Sequence, residues 1–142
     1  MRESEAVLVD LDAFFGEWRL EREIRHHDGS TARFEGTALW IPKGMGAHNI
    51  ERGTLVMPQA RYSAERRYRW DRALRVHFED GRFFHQVPAE GGAAQHWCDP
   101  DRYEVLYDFK AWPAWTARWH VSGPRKDYVL VSRYVRPVAP KL

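Results

Sequence analysis

The chain has 142 residues, enough for one domain with a buried core. Its net charge of +2 is too small for a dedicated nucleic-acid surface, and no apolar run is long enough to span a membrane. A lone cysteine, Cys98, excludes an internal disulfide framework and fits a reducing, cytoplasmic compartment; Met1 to Glu5 does not read as a secretion signal.

The apolar lead-in Val7 to Phe15 ends at Gly16, which suits the corner between a short helical plug and a first strand. From Glu17 to about His26 the pattern has period two: Trp18, Leu20, Arg22 and Ile24 share one face, and charged residues share the other. Asp28-Gly29 signals a hairpin into a second strand, Ala32 to Ile41, with Phe34, Gly36, Ala38 and Trp40 on one face. Pro42 to Gly46 reads as a loop, His48 is also placed in a loop, and Asn49 to Met57 reads as a third strand.

Ala60 to Trp70 alternates again. Parity puts Arg66 on the face of Tyr62, Tyr68 and Trp70, while Arg61, Arg67 and Arg69 face solvent. Leu74 to Phe78 and the segment after Asp80-Gly81 form a second hairpin, with Phe83, His85 and Val87 predicted inside. Ala94 to Cys98, Tyr103 to Phe109, Trp115 to Ser122 and Asp127 to Val135 complete the strands, and Pro137 and Pro140 mark a tail.

The expectation is therefore all-β: an antiparallel up-and-down barrel of about ten strands, within a range of eight to ten, closed at one end by the plug. One domain spans residues 1–142, with its core at about 14–136. A small sandwich is the competing architecture.

Gly16-x-Trp18 after an apolar turn resembles the opening signature of the lipocalin and fatty-acid-binding barrels. A longer set resembles a lipocalin-like family, domain of unknown function 6314. It includes Phe34-Glu35-Gly36-Thr37-Ala38, Tyr68-Arg69-Trp70, Phe78 to His85, His96-Trp97-Cys98, Trp115 to Trp119 and Gly123 to Tyr128. The resemblance implies a calycin-type barrel and no established activity. It also implies that an arginine from the last strand lies across Trp18. Arg133, on the face of Val129, Val131 and Val135, is the first candidate and Arg136 the second.

No phosphate-cradling glycine loop, Cys-x-x-Cys, His-Glu-x-x-His or Gly-x-Ser-x-Gly is present. The leading reading is a barrel binding a small hydrophobic or amphipathic ligand, with an anionic head group as one version. Arg66, Tyr68, His85, His96, Tyr103, Tyr107 and Trp119 would line it, with Arg66 and His85 as a polar floor. Glu51 or a tyrosine hydroxyl could satisfy Arg66 equally well.

Two other classes stay open. One is a weak isomerase- or cyclase-like enzyme using His85 or His96 beside Tyr103 or Asp101. The other is a non-enzymatic interaction protein with a filled barrel and a patch of Trp40, Met45 and Trp112. His85, His96 and Cys98 could supply three metal ligands on paper, but no metal site is assigned. No cofactor is expected, with haem on His85 or His96 a minority option. The expected partner is a small molecule, not nucleic acid or membrane, bound by a monomer or homodimer.

Overall fold

The structure, a computed structural model, describes residues 7–138. The readings of Met1 to Glu5 and of Pro140 lie outside the described residues. A one-turn helix, α1 (Leu11–Phe14), begins at Asp10, whose carboxylate accepts from the Ala13 amide at 3.1 Å. Ten strands follow: β1 (Gly16–His26), β2 (Thr31–Lys43), β3 (Gly46–Met57), β4 (Ala60–Trp70), β5 (Arg75–Phe78), β6 (Phe83–Gln86), β7 (Gly92–Cys98), β8 (Asp101–Asp108), β9 (Trp115–Ser122) and β10 (Asp127–Val135). No helix among the described residues is long and apolar enough to cross a membrane.

The strands make one antiparallel sheet in the order β6-β5-β4-β3-β2-β1-β10-β9-β8-β7. Sequential hairpins build both arms, and the ladder between β1 and β10 joins them, Arg19 opposite Val135 through His26 opposite Tyr128. The sheet curls until its two edges meet. Phe84 of β6 packs on His96 of β7 with ring centroids 5.4 Å apart, yet no ladder joins these strands among the described residues. The result is a barrel with one unzipped seam.

The closed end is filled with aromatic rings. Phe14 from α1 meets Trp40, Trp70, Trp112 and Trp115 at centroid distances of 5.1–5.5 Å. Trp115 stacks on Tyr134 at 3.9 Å and 7°. The Trp18 indole donates to the Phe14 carbonyl at 2.8 Å, tying strand to plug. Gly16 turns that corner with φ of +104°, a conformation that disfavours any side chain.

Arg136 lies across Trp18, with its guanidinium carbon 3.8 Å from the ring centre. It donates to the carbonyls of Ala13 (3.1 Å), Phe15 (2.9 Å) and Glu17 (3.0 Å). Arg133, the first candidate for this place, is exposed. The register sets it opposite Glu21 and Thr116, on the outer wall. Parity held along β10, but the face shared by Val129, Val131 and Arg133 is the outer one, and Arg136 lies beyond the strand's end.

Three further expectations change. β2 and β3 run through Pro42 and Gly46 to a tight turn at Gly44-Met45, so His48 belongs to a strand, opposite Arg69. Trp40 is sealed in the core and cannot join an exposed patch; Met45 is exposed and Trp112 half-buried against Phe14. Phe83 points outward while Phe84 and His85 are both buried, because the β5–β6 ladder shifts register between Val76 and His77.

Candidate functional site

Above the aromatic plug lies a layer of buried polar groups. Inward parity on β1, β3 and β10 brings Arg22, Glu51, Ser132 and Tyr134 together. Arg22 donates to Glu51 Oε1 at 2.9 Å and to Ser132 Oγ at 2.6 Å, and the Tyr134 hydroxyl donates to Glu51 Oε2 at 2.6 Å. Burial works to raise the Glu51 pKa, but the Arg22 charge and the two hydrogen bonds overcome it and hold the carboxyl below its ordinary value. The added hydrogen bonds, from Arg22 to Ser132 and from Tyr134 to Glu51, offset part of the cost of burying this ion pair.

His85 sits beside this layer. Its Nε2 lies 2.8 Å from the Tyr107 hydroxyl, and its Nδ1 has no partner among the described residues. Burial, reinforced by the neighbouring His96, pushes its pKa down to about 3, so the ring is neutral near pH 7. Burial likewise raises the Tyr107 pKa. The free space between Trp40, Trp70, Trp115, Glu51, His85 and Tyr107 is about 20 Å³, room for roughly one water. A haem does not fit at His85.

Toward the other end the inward-facing side chains become more exposed. Of the inward-facing residues, Ile24, Leu55, Ala64, Arg66, Tyr68, Phe78, His96, Tyr103 and Trp119 are all half-buried, while those nearer the plug are sealed. Arg66 stands opposite Glu51 in the β3–β4 ladder. Its guanidinium carbon is 5.9 Å from the Trp119 ring centre, and it makes no ion pair among the described residues. Glu51 is already held by Arg22 and Tyr134. His96 and Tyr103 face each other across β7 and β8, with ring centroids 6.1 Å apart and Phe84 beneath both. Burial lowers the His96 pKa; it raises that of Tyr103, with Lys126 opposing.

The seven residues singled out from the sequence therefore divide. Arg66, Tyr68, His96, Tyr103 and Trp119 surround the open end, whereas His85 and Tyr107 belong to the sealed layer below. Arg66 and His85 do not form one floor. They approach each other only through Trp119, at 5.9 and 6.2 Å from its ring. Asp101, suggested as a partner for a histidine, binds Lys126 at 3.0 Å instead. Among the described residues no three His, Cys, Asp or Glu side chains gather where they could hold a metal. The sequence reading missed the Arg22 network, although Arg22 between Leu20 and Ile24 carried the signal: an arginine on an inward face needs an acceptor.

A nearly closed antiparallel barrel, plugged beneath a Gly-x-Trp corner and clamped there by an arginine, defines a lipocalin-like barrel. The chain belongs to DUF6314, a family of unknown function whose model matches residues 14–136. Among solved structures it is similar to an S-type phycobiliprotein lyase from Guillardia theta, with a TM-score of 0.62, 9% sequence identity and 92% of each chain covered. At that identity the likeness concerns the fold alone. No curated protein matches the chain.

Proposed function

We propose that this barrel binds a small anionic, amphipathic molecule at its open end. Arg66 would take the anionic group, and Trp119, Phe78, Tyr103 and His96 the apolar body. The observation that carries the reading is Arg66 itself: a half-buried guanidinium on an aromatic wall, with no carboxylate of its own among the described residues. A charge in that setting favours an acceptor from outside, and a guanidinium matches a carboxylate or a sulfonate in geometry. The sealed layer beneath limits the ligand to the upper lumen.

The experiment uses an anilinonaphthalene sulfonate dye, which joins an anion to an apolar body and fluoresces when shielded from water. The parent should bind it saturably. Arg66→Met should bind roughly tenfold or more weakly, the scale of one lost charge-assisted hydrogen bond, with unchanged melting temperature. Equal affinity in parent and variant would refute the reading. A parent that binds no anionic dye would favour the filled-barrel interaction protein, for which the tightly packed lower lumen speaks. The isomerase- or cyclase-like alternative loses support at His85, because a base with a pKa of about 3 is too weak to abstract a proton near neutral pH.

A further inference from the structure

A groove of about 690 Å³ lies mainly on the outer wall of the barrel and reaches its rim, where Ile24 and Ala32 also line it. Strand register explains its composition. One outward row crosses the sheet from Arg118 on β9 through Val131 on β10 and Glu23 on β1 to Arg33 on β2 and Val56 on β3. Arg25, opposite Val129, lies in the next row. Valines thus form the floor and three arginines the sides, with Glu23 the one acid among them. Arg25 and Arg118 make no ion pair among the described residues, and Arg33 meets only Glu35, at 3.2 Å on an exposed surface. Such exposed pairs contribute little and exchange readily.

The geometry points to a docking site for an extended, acidic segment of a partner protein. Spacing decides this against a small molecule. Arg118 and Arg33 are three strands apart, about 14 Å at ~4.8 Å per strand. One carboxylate reaches one of them. In an extended segment, residues i and i+4 are about 13 Å apart at ~3.3 Å per residue and point the same way. Two acidic residues at that spacing meet both arginines. The residue between them falls over Val131 and Glu23, where an aliphatic side chain fits and a third acid is repelled. The groove's formal excess of two positive charges supplies the complementarity.

The probe is a fluorescein-labelled Gly-Glu-Thr-Val-Thr-Glu-Gly peptide, followed by anisotropy at low and physiological salt. A rearranged peptide with its two Glu adjacent is the control. Saturable binding is expected. It should weaken about fivefold for Arg118→Glu, for Arg33→Glu and for the rearranged peptide, and stay unchanged for Arg66→Met. All three arginines of the groove are exposed, so these variants fold. Absence of saturable binding would overturn the proposal. So would equal binding of the rearranged peptide, or a loss confined to Arg66→Met, which would place the peptide at the lumen.

Discussion

Arg136 joins the two ends of the chain. Its contact with Trp18 and its three hydrogen bonds to the plug form where β10 has already ended. Charge-assisted bonds contribute ~1.5–3 kcal/mol and a ring contact ~0.5–2 kcal/mol, so Arg136→Met should lower the melting temperature by roughly 5–10 °C. Arg133→Met, on the exposed outer wall, should shift it by no more than about 2 °C. Thermal unfolding followed by circular dichroism checks both; equal shifts would contradict the assignment. Acid stability is also a matter of single residues. His85 stays neutral in the fold down to about pH 3 but titrates near 6.5 once unfolded. The unfolded chain therefore binds the extra proton, and stability falls as pH drops from about 6.5 toward 3. Glu51, held below 4.5, adds stability that is complete above that value and lost as pH falls through its folded pKa. Urea midpoints at pH 7 and 5 should differ for the parent and differ less for His85→Phe, the remainder coming from groups such as His96 whose pKa burial also lowers. An unchanged difference would show that other groups carry it. Parity in the sequence put Arg22 and His85 inside, but it could not supply their partners: Glu51 and Tyr134 lie 29 and 112 residues from Arg22.

Hairpins were the most legible elements. Asp28-Gly29 and Asp80-Gly81 turn where expected, with φ of +88° and +94° at the glycines. The ends of β4, Ala60 and Trp70, fall where its alternation starts and stops. What alternation could not foresee was an interruption of itself. The shift between Val76 and His77 leaves adjacent Phe84 and His85 both inside, which a strict period of two forbids. Gly36 carried a clearer message. It faces Gly53 across β2 and β3, and a Cβ there would overlap the Arg52 carbonyl oxygen. Gly36→Ala should destabilise by about 3 kcal/mol or more, against about 1 kcal/mol for Gly29→Ala in its open turn, measured by urea unfolding. Similar costs at the two glycines would contradict the close approach. The unzipped seam has its own signature. Among the described residues the edge-facing amides of β6 and β7 lack ladder partners, and they should exchange with solvent faster than those of β1 and β10. Uniform protection across all four strands would mean that the seam closes.

At the scale of the whole molecule, the aromatic content has two roles that the sequence could not separate. Trp18, Trp40, Trp70 and Trp115 fill one end, whereas Trp119 stands half-exposed at the other. Composition and parity place all five inside; only the depth of each along the barrel axis divides packing from lining. That depth follows from how the hairpins stagger, which no local pattern records. It also separates Arg66 from His85, which share inward parity but not a level. The division is open to direct reading, because each indole N–H gives its own proton–nitrogen NMR signal. Titration with the anilinonaphthalene sulfonate dye should move the Trp119 indole signal and leave those of Trp18, Trp40, Trp70 and Trp115 in place. Shifts at the four buried indoles, or none at Trp119 while the dye is bound, would contradict binding at the open end.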